Sequence, residues 1–334
     1  DRFGGVRVTQ ASLVIGAASL VCLAGGALWL AALSALLGGI AFGPCNPASS
    51  TVLAAVTPAN KRGLVFSIKQ TAVPIGGALA GVVIVGIATQ FGWRAAAFSG
   101  AVACLALAVA LQPVRGRFDA PNVQAGRKPA RISRTFGVIV ATPALRPIAV
   151  LAGCFAGVQF AVGAIFVAYL VDVATLSVSV AGGLLAAAMG LSVALRIALG
   201  VATDRFGGLR VLSAVAAAMA LAALVCAVAG QAAAAAAMVA LAACAYGWNG
   251  VFLAEVARIA PADAIARATA ACMMVVFLGG VVGPSAFVGL TKYAAGFALA
   301  FAVLGVIAAF GSVVAFAADR AERRALVGPQ STRP

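Results

Sequence analysis

Charged residues are scarce in this sequence of 334 residues, and histidine is missing from it. Only 9% of the residues are charged, whereas 64% are hydrophobic. A water-soluble domain with this balance would expose large apolar patches, so the composition indicates that lipid is the solvent. Without histidine or a CxxC pair, the sequence also lacks the usual ligands of a zinc site. The cysteines lie in apolar stretches and are interpreted as small core residues: Cys22, Cys45, Cys104, Cys154, Cys226, Cys244 and Cys272.

Long apolar segments, bounded by charged residues or by Pro and Gly, determine the predicted fold class. Each is long enough to cross a bilayer as a helix, which takes about 20 residues. The pattern predicts an all-α integral membrane protein. Its ten helices are predicted near residues 8–28, 30–56, 63–88, 95–112, 146–170, 176–200, 211–229, 232–257, 268–290 and 296–317.

Basic residues collect on one side of these predicted spans. Alternate connections place Arg94 and Lys292 on one side and nineteen basic residues on the other, and only Lys69 and Arg196 lie inside spans. The positive-inside rule makes the basic side cytoplasmic. The net charge of +15 is therefore a topology signal, and we expect no nucleic-acid partner. The nineteen are Arg2, Arg7, Lys61, Arg62, Arg115, Arg117, Arg127, Lys128, Arg131, Arg134, Arg146, Arg205, Arg210, Arg258, Arg267, Arg320, Arg323, Arg324 and Arg333.

The longest hydrophilic stretch divides four predicted helices from six. We expect a first bundle over 1–112, a cytoplasmic linker over 113–145, a second bundle over 146–318 and a cytoplasmic tail over 319–334.

An internal repeat relates the two halves. A shift of 203 residues superposes DRFGGVRV at residues 1–8 on DRFGGLRV at residues 204–211, with seven identities in eight positions. The same shift superposes Asn46 on Asn249 and Pro58 on Pro261, without a gap. Parallel repeats with a solute site at their interface are one recurrent plan of membrane carriers. The second copy has two predicted helices ahead of its DRFGG and the first has none, so we expect that about two helices are missing before Asp1.

The stretch GVATDRFGGLR at residues 200–210 resembles the signature loop of the major facilitator superfamily, and residues 1–7 resemble its first copy. The resemblance covers the whole chain. It implies two six-helix bundles, of which about ten of twelve helices are present, with both termini cytoplasmic. It also implies a cytoplasmic gate made by the loop residues Asp1, Arg2, Arg7, Asp204, Arg205, Gly207 and Arg210.

Two further residues are candidates for this gate. AEVARIAP at residues 254–261 is similar to the acidic, proline-terminated tenth helix of many facilitators, which implies that Glu255 pairs with Arg205 or Arg196. Glu255 could instead pair with Arg258, one turn along the same helix. Arg196 lies one turn from the end of its helix, where it could serve the gate or extend to the headgroups.

Polar residues deep in the predicted spans are candidates for a solute cavity: Lys69, Gln70, Asn46, Gln159, Trp248 and Asn249. Lys69 could attract an anion, because a charge inside a membrane usually faces a cavity or a partner, or it could extend to the headgroups. The amide side chains could equally serve as hydrogen-bond links between helices. Asn46 lies between Pro44 and Pro47, where a helix must lose backbone hydrogen bonds.

The sequence has no GxxxxGK[ST] phosphate loop, which excludes an ATP-driven pump for this chain. We expect a secondary active transporter, not an enzyme, that moves a small organic or inorganic anion by alternating access without a cofactor and with possible proton coupling. The alternatives are an efflux carrier for drugs or metabolites and, more remotely, a non-transporting membrane sensor. We expect a monomer in the lipid bilayer of a cell membrane, such as a bacterial inner membrane.

Overall fold

The computed structural model describes residues 4–119, 132–228, 230–293 and 296–327. Within these ranges the regular structure is helical and contains no strand. The first half comprises α1 (Gly5–Ala24), α2 (Leu28–Phe42), α3 (Cys45–Val56), α4 (Arg62–Phe91), α5 (Trp93–Ala110) and α6 (Gln112–Asp119). The rest comprises α7 (Ile132–Ala141), α8 (Leu145–Asp172), α9 (Val178–Phe206), α10 (Gly208–Val228), α11 (Gln231–Gly247), α12 (Asn249–Ile259), α13 (Ile265–Tyr293) and α14 (Phe297–Val327).

Nine candidate membrane spans lie in the described part of the chain. They are long and apolar enough to cross a bilayer, and each coincides with one of the ten predicted spans. The remaining prediction, at 63–88, coincides with the 30-residue helix α4. The predicted all-α membrane fold is confirmed.

The helix boundaries repeat with the same offset as the sequence. Helix α1 begins at Gly5 and α10 begins at Gly208, while α4 begins at Arg62 and α13 at Ile265. Both pairs are 203 residues apart, so the repeat in the sequence is also a repeat of helices.

The second helix of each repeat is interrupted at the same place. Pro44 separates α2 from α3, and Trp248 separates α11 from α12. A proline removes a backbone donor, which explains the first interruption. The second occurs without a proline, next to Gly247, and was not predicted.

The two stretches predicted as a linker and a tail contain helices. The stretch 113–145, predicted as a linker, contains α7 and most of α6, and α14 continues to Val327, beyond the predicted start of the tail at 319. The extra turns of α14 are polar, and Arg323 bonds Asp319 four residues earlier. Pairs at this spacing support a helix that hydropathy alone does not reveal.

The chain forms two compact units. The first comprises residues 1–58, 72–138 and 261–270, and the second comprises residues 59–71, 139–260 and 271–334. The start of α4 therefore belongs to the second unit, although it precedes the predicted linker. The core of the second unit contains buried aromatic side chains, among them Tyr169, whose ring lies 4.7 Å from Phe301 and whose hydroxyl donates to the Cys226 carbonyl.

Candidate functional site

Asp204 lies in the last turn of α9 and bonds the first turn of α4. Its carboxylate accepts hydrogen bonds from the backbone N–H of Gly63 at 2.7 Å and of Leu64 at 3.0 Å. The first N–H groups of a helix have no partner within the helix, and the partial positive charge there favours an anion. The second copy of the signature loop thus holds a helix that belongs to the first repeat.

Gly207 is the single residue between α9 and α10, and its φ is 93°. Gly4, its repeat mate before α1, has a φ of 83°. A residue with a Cβ rarely adopts these angles, so glycine is required where the chain turns this tightly.

Beside Asp204, α4 crosses α9 and α12 with almost no side chain between the backbones. A Cβ at Gly63 would lie 2.7 Å from the Gly200 carbonyl oxygen, and a Cβ at Gly200 would lie 2.8 Å from the Cβ of Ser67. A Cβ at Gly250 would collide with the Ser67 backbone. Carbon atoms normally approach to about 3.5–4.0 Å, so only glycine permits this crossing.

Arg196 lies deeper, where α9 faces α4 and α11. Its Nε donates to the Tyr246 carbonyl at 2.9 Å, and its Nη1 donates to the Gln70 carbonyl. The residue is only 3% exposed. Its guanidinium therefore binds protein backbone and does not extend to the headgroups, which the sequence had left possible.

Glu255 pairs with Arg258, not with Arg205 or Arg196. Arg258 donates from Nη2 to Oε1 at 2.7 Å and from Nε to Oε2 at 2.9 Å, and it also bonds Glu322 at 2.7 Å. The pairing implied by the resemblance is wrong. Arg258 is one turn away on the same helix, whereas the Arg196 side chain is occupied elsewhere.

Three of the predicted cavity residues form one hydrogen-bonded cluster. The Gln159 Oε1 on α8 accepts from Trp248 Nε1 at 2.9 Å and from Asn249 Nδ2 at 3.2 Å. The Trp248 side chain is fully buried, with the rings of Phe155 and Phe252 4.9 and 5.3 Å away. These bonds link α8 to the start of α12 and use the Gln159 oxygen and the Trp248 N–H, so the polar groups left for a solute are the Gln159 amide nitrogen and the Asn249 amide oxygen.

The other three predicted cavity residues lie on different elements from this cluster. Lys69 and Gln70 are neighbours on α4, where Lys69 is half-buried and Gln70 is 5% exposed. Asn46 is half-buried in the first turn of α3, within the first unit. Two of the predicted gate residues, Asp1 and Arg2, lie outside the described residues.

The remaining gate predictions occupy the surface. Arg7 and Arg205 are exposed, and the Arg205 guanidinium lies 5.4 Å from the Phe206 ring. Arg210 is exposed and bonds Asp319 at 3.0 Å.

Sequence reasoning missed Asp119 at the end of α6. It is 3% exposed, and it accepts from the N–H groups of Val6 at 2.9 Å and Arg7 at 3.0 Å, in the first turn of α1. Asp119 thus holds the first-copy loop within its own repeat. The signal was available, because the 203-residue shift superposes Asp119 on another acid, Glu322.

Solved transporters with the same fold share little sequence with this chain. The E. coli fucose:proton symporter FucP matches with a TM-score of 0.74 and 14% identity over 94% of this chain and 84% of that chain. The human organic anion transporter MFSD10 matches with a TM-score of 0.77 and 14% identity over 93% and 77%. A bacterial homologue of the iron transporter ferroportin gives a TM-score of 0.76 and 14% identity over 96% and 84%. At such identities the likeness concerns the fold alone.

A comparison with curated proteins finds no match to the sequence. The family model described as Major Facilitator Superfamily matches residues 1–284. Together with the helical repeat and the DRFGG loop, this match establishes that the chain is a multi-pass membrane protein that belongs to the major facilitator superfamily.

Proposed function

We propose that the chain is a secondary active transporter that moves a small solute by alternating access, with a gate at its basic end. The observation that carries this proposal is the bond from Asp204 to the first turn of α4. It joins the signature loop of one repeat to a helix of the other. When this end opens, the bond must break.

The gate includes Arg196 and the contact of α4 with α9 and α12 at three glycines, which we call the glycine crossing. Gly63, Gly200 and Gly250 bring the backbones of α4, α9 and α12 into direct contact, and Arg196 adds a bond from α9 to the Gln70 carbonyl. Opening removes these contacts and exposes their polar groups to water. A bound solute can supply the required free energy only through a difference in its affinity for the two states.

We propose a small organic or inorganic anion as the solute. Lys69 supports this, because it is half-buried on α4, in a stretch predicted to cross the membrane, next to Gln70. In the cluster of Gln159, Trp248 and Asn249, the Gln159 amide nitrogen and the Asn249 amide oxygen supply polar groups for orientation, and Trp248 supplies an aromatic wall. Arg196 is assigned to the gate, since its guanidinium is bound to backbone carbonyls.

A counterflow assay with the full-length protein in proteoliposomes tests this proposal. Carboxylates, inorganic anions, sugars and apolar cations are offered in turn, and an anion is the expected substrate. We expect Lys69→Gln to lower its uptake at least tenfold and Lys69→Arg to retain most of it. The matched control is Lys292→Gln, which removes an exposed lysine and should leave uptake unchanged.

The alternatives give different results in the same assay. Apolar cations as the only substrates would favour the efflux carrier, and anion uptake that survives Lys69→Gln would remove Lys69 from the site. Transport of nothing in the panel by a protein that elutes as a folded monomer would favour the sensor.

We also propose that protons drive the transport, as they do in the fucose:proton symporter FucP, which shares the fold. An inward proton gradient should then accelerate uptake severalfold, and a protonophore should abolish the acceleration. Equal uptake with and without the gradient would show a facilitator or another coupling ion.

A further inference from the structure

A groove of about 530 Å³ lies between α10 and α14. Its charged lining residues are Arg210, Arg320, Arg323 and Asp319, and its other lining residues are Ser213, Ala214, Ala217, Ser312 and Phe316. The charged residues have a net charge of +2, from three positive side chains and one negative. The charged end, which we call the mouth, thus continues along both helices into a mainly apolar groove.

The charged groups are held in fixed positions. Asp319 Oδ2 accepts from Arg210 Nε at 3.0 Å and from Arg323 Nε at 2.9 Å, and the Arg320 guanidinium lies 4.8 Å from the Phe316 ring. Within the described part of the chain, no hydrogen bond joins the Nη groups of Arg210 or Arg323 to a protein acceptor. These groups can bind an anion, and guanidinium groups match phosphate oxygens in geometry.

The groove lies along an exposed apolar surface of α10 and α14, which we expect to face lipid. From Arg210 to Ala217 it follows α10 for seven residues, which is about 10 Å. Further along the same two helices, exposed apolar side chains continue the surface, including Leu221 (66% exposed), Phe310 (55%) and Val313 (65%). A ligand that fills the groove must therefore be anionic at one end and apolar at the other.

We propose that this groove binds an anionic phospholipid, with its phosphate between the three arginines and an acyl chain along Ala214, Ala217 and Phe316. The net charge favours an anionic headgroup over a zwitterionic one. The two longer chain segments outside the described residues, 120–131 and 328–334, fit poorly because they contain no Asp or Glu. The proposal does not depend on the transported solute.

The first repeat does not carry the same groups, which makes it an internal control. The 203-residue shift superposes Arg320 on Arg117 but superposes Asp319 on Gly116 and Phe316 on Pro113. A site built from these positions would therefore occur once in the molecule.

Native mass spectrometry of the purified protein, titrated with phosphatidylglycerol, tests the proposal. We expect the affinity of the tightest-bound phosphatidylglycerol to fall at least tenfold in the double variant Arg320→Gln/Arg323→Gln. The control Arg115→Gln/Arg117→Gln removes the same charge at the end of the first repeat and should change the affinity less than twofold. Phosphatidylcholine should bind at least tenfold more weakly than phosphatidylglycerol.

A second variant, Ala217→Trp, keeps every charge and fills the apolar part of the groove. It should lower the affinity for phosphatidylglycerol at least fivefold if an acyl chain lies there. Equal losses in both arginine variants, or none in either, would overturn the proposal. So would inorganic phosphate that displaces phosphatidylglycerol at similar concentrations, since the groove would then bind a free anion.

Discussion

The single carboxylate of Asp204 accepts hydrogen bonds from two backbone N–H groups of the other repeat. An aspartate at a helix N-terminus contributes about 0.5–2 kcal/mol through its hydrogen bonds and its interaction with the helix dipole. A change of about 1.4 kcal/mol alters a two-state equilibrium tenfold. This side chain alone can therefore shift the balance between a closed and an open basic end.

The substitution Asp204→Asn should favour the open state, because the amide lacks the charge and has one acceptor oxygen. We expect the reactivity of a cysteine introduced by Ser67→Cys to rise about tenfold toward a soluble maleimide, measured at that position by mass spectrometry. Ser67 is fully buried in the glycine crossing, so its reactivity reports opening.

Asp263→Asn is the control for this measurement. Asp263 is half exposed and bonds Arg267 four residues away, and such surface pairs contribute little. Equal labelling in the parent protein and in Asp204→Asn would show that the carboxylate does not hold this end closed.

Residue roles could be predicted from the sequence only where the repeat or a motif marks them. The DRFGG loop identified Asp204, but the position of its partners on α4 depends on how distant segments meet. Glu255 shows the converse: a local partner, Arg258, was closer than the distant one that the family resemblance implied. Asp119 could have been found from its repeat mate, an acid at the end of the second half.

The contacts of α4 with α9 and α12 are contacts between backbones. Overpacking of a filled interface typically costs about 1–3 kcal/mol, because the backbones must separate. Gly200 and Gly190 lie on the same helix, and a Cβ at Gly190 would meet no atom within 4 Å. A substitution at Gly190 is therefore a matched control for the same substitution at Gly200.

Gly200→Ala should lower the transport rate at least tenfold and increase labelling after Ser67→Cys, because the added methyl collides with Ser67 and with the Gly63 carbonyl. Gly190→Ala should leave both unchanged, with a melting temperature equal to or slightly above that of the parent. If the two variants behave alike, the glycines of α9 contribute only to helix propensity.

Element boundaries followed from hydropathy except where packing decides them. The proline rule located the interruption between α2 and α3, but the matching interruption at Trp248 has no proline and only a neighbouring glycine, Gly247. There the indole bonds Gln159 on α8, a contact between segments far apart in sequence. The last turns of α14 were missed because they are polar.

At the scale of the whole molecule, the asymmetric placement of basic residues predicts the orientation. The basic end, which carries the proposed gate and the arginine groove, should face the cytoplasm. Lys292 lies near the C-terminal end of α13, and Arg324 lies near the C-terminal end of α14, one membrane crossing later. Both residues are exposed. They offer a direct test in intact cells.

Lys292→Cys should react with an impermeant maleimide added to intact cells, and Arg324→Cys should react only after the cells are made permeable. Native cysteines interfere little, because all seven are buried or half-buried and the modified position is identified by mass spectrometry. The reverse pattern would invert the assigned orientation.

The glycine crossing is also a stiff contact. Side-chain contacts are compliant, since rotamers adjust when helices shift. A contact between backbones has no such compliance, and repulsion rises steeply once atoms touch. The contacts at Gly63, Gly200 and Gly250 would therefore limit how closely α4 can approach α9 and α12. The closed position of α4 would then be the same for any solute or ion that drives the movement.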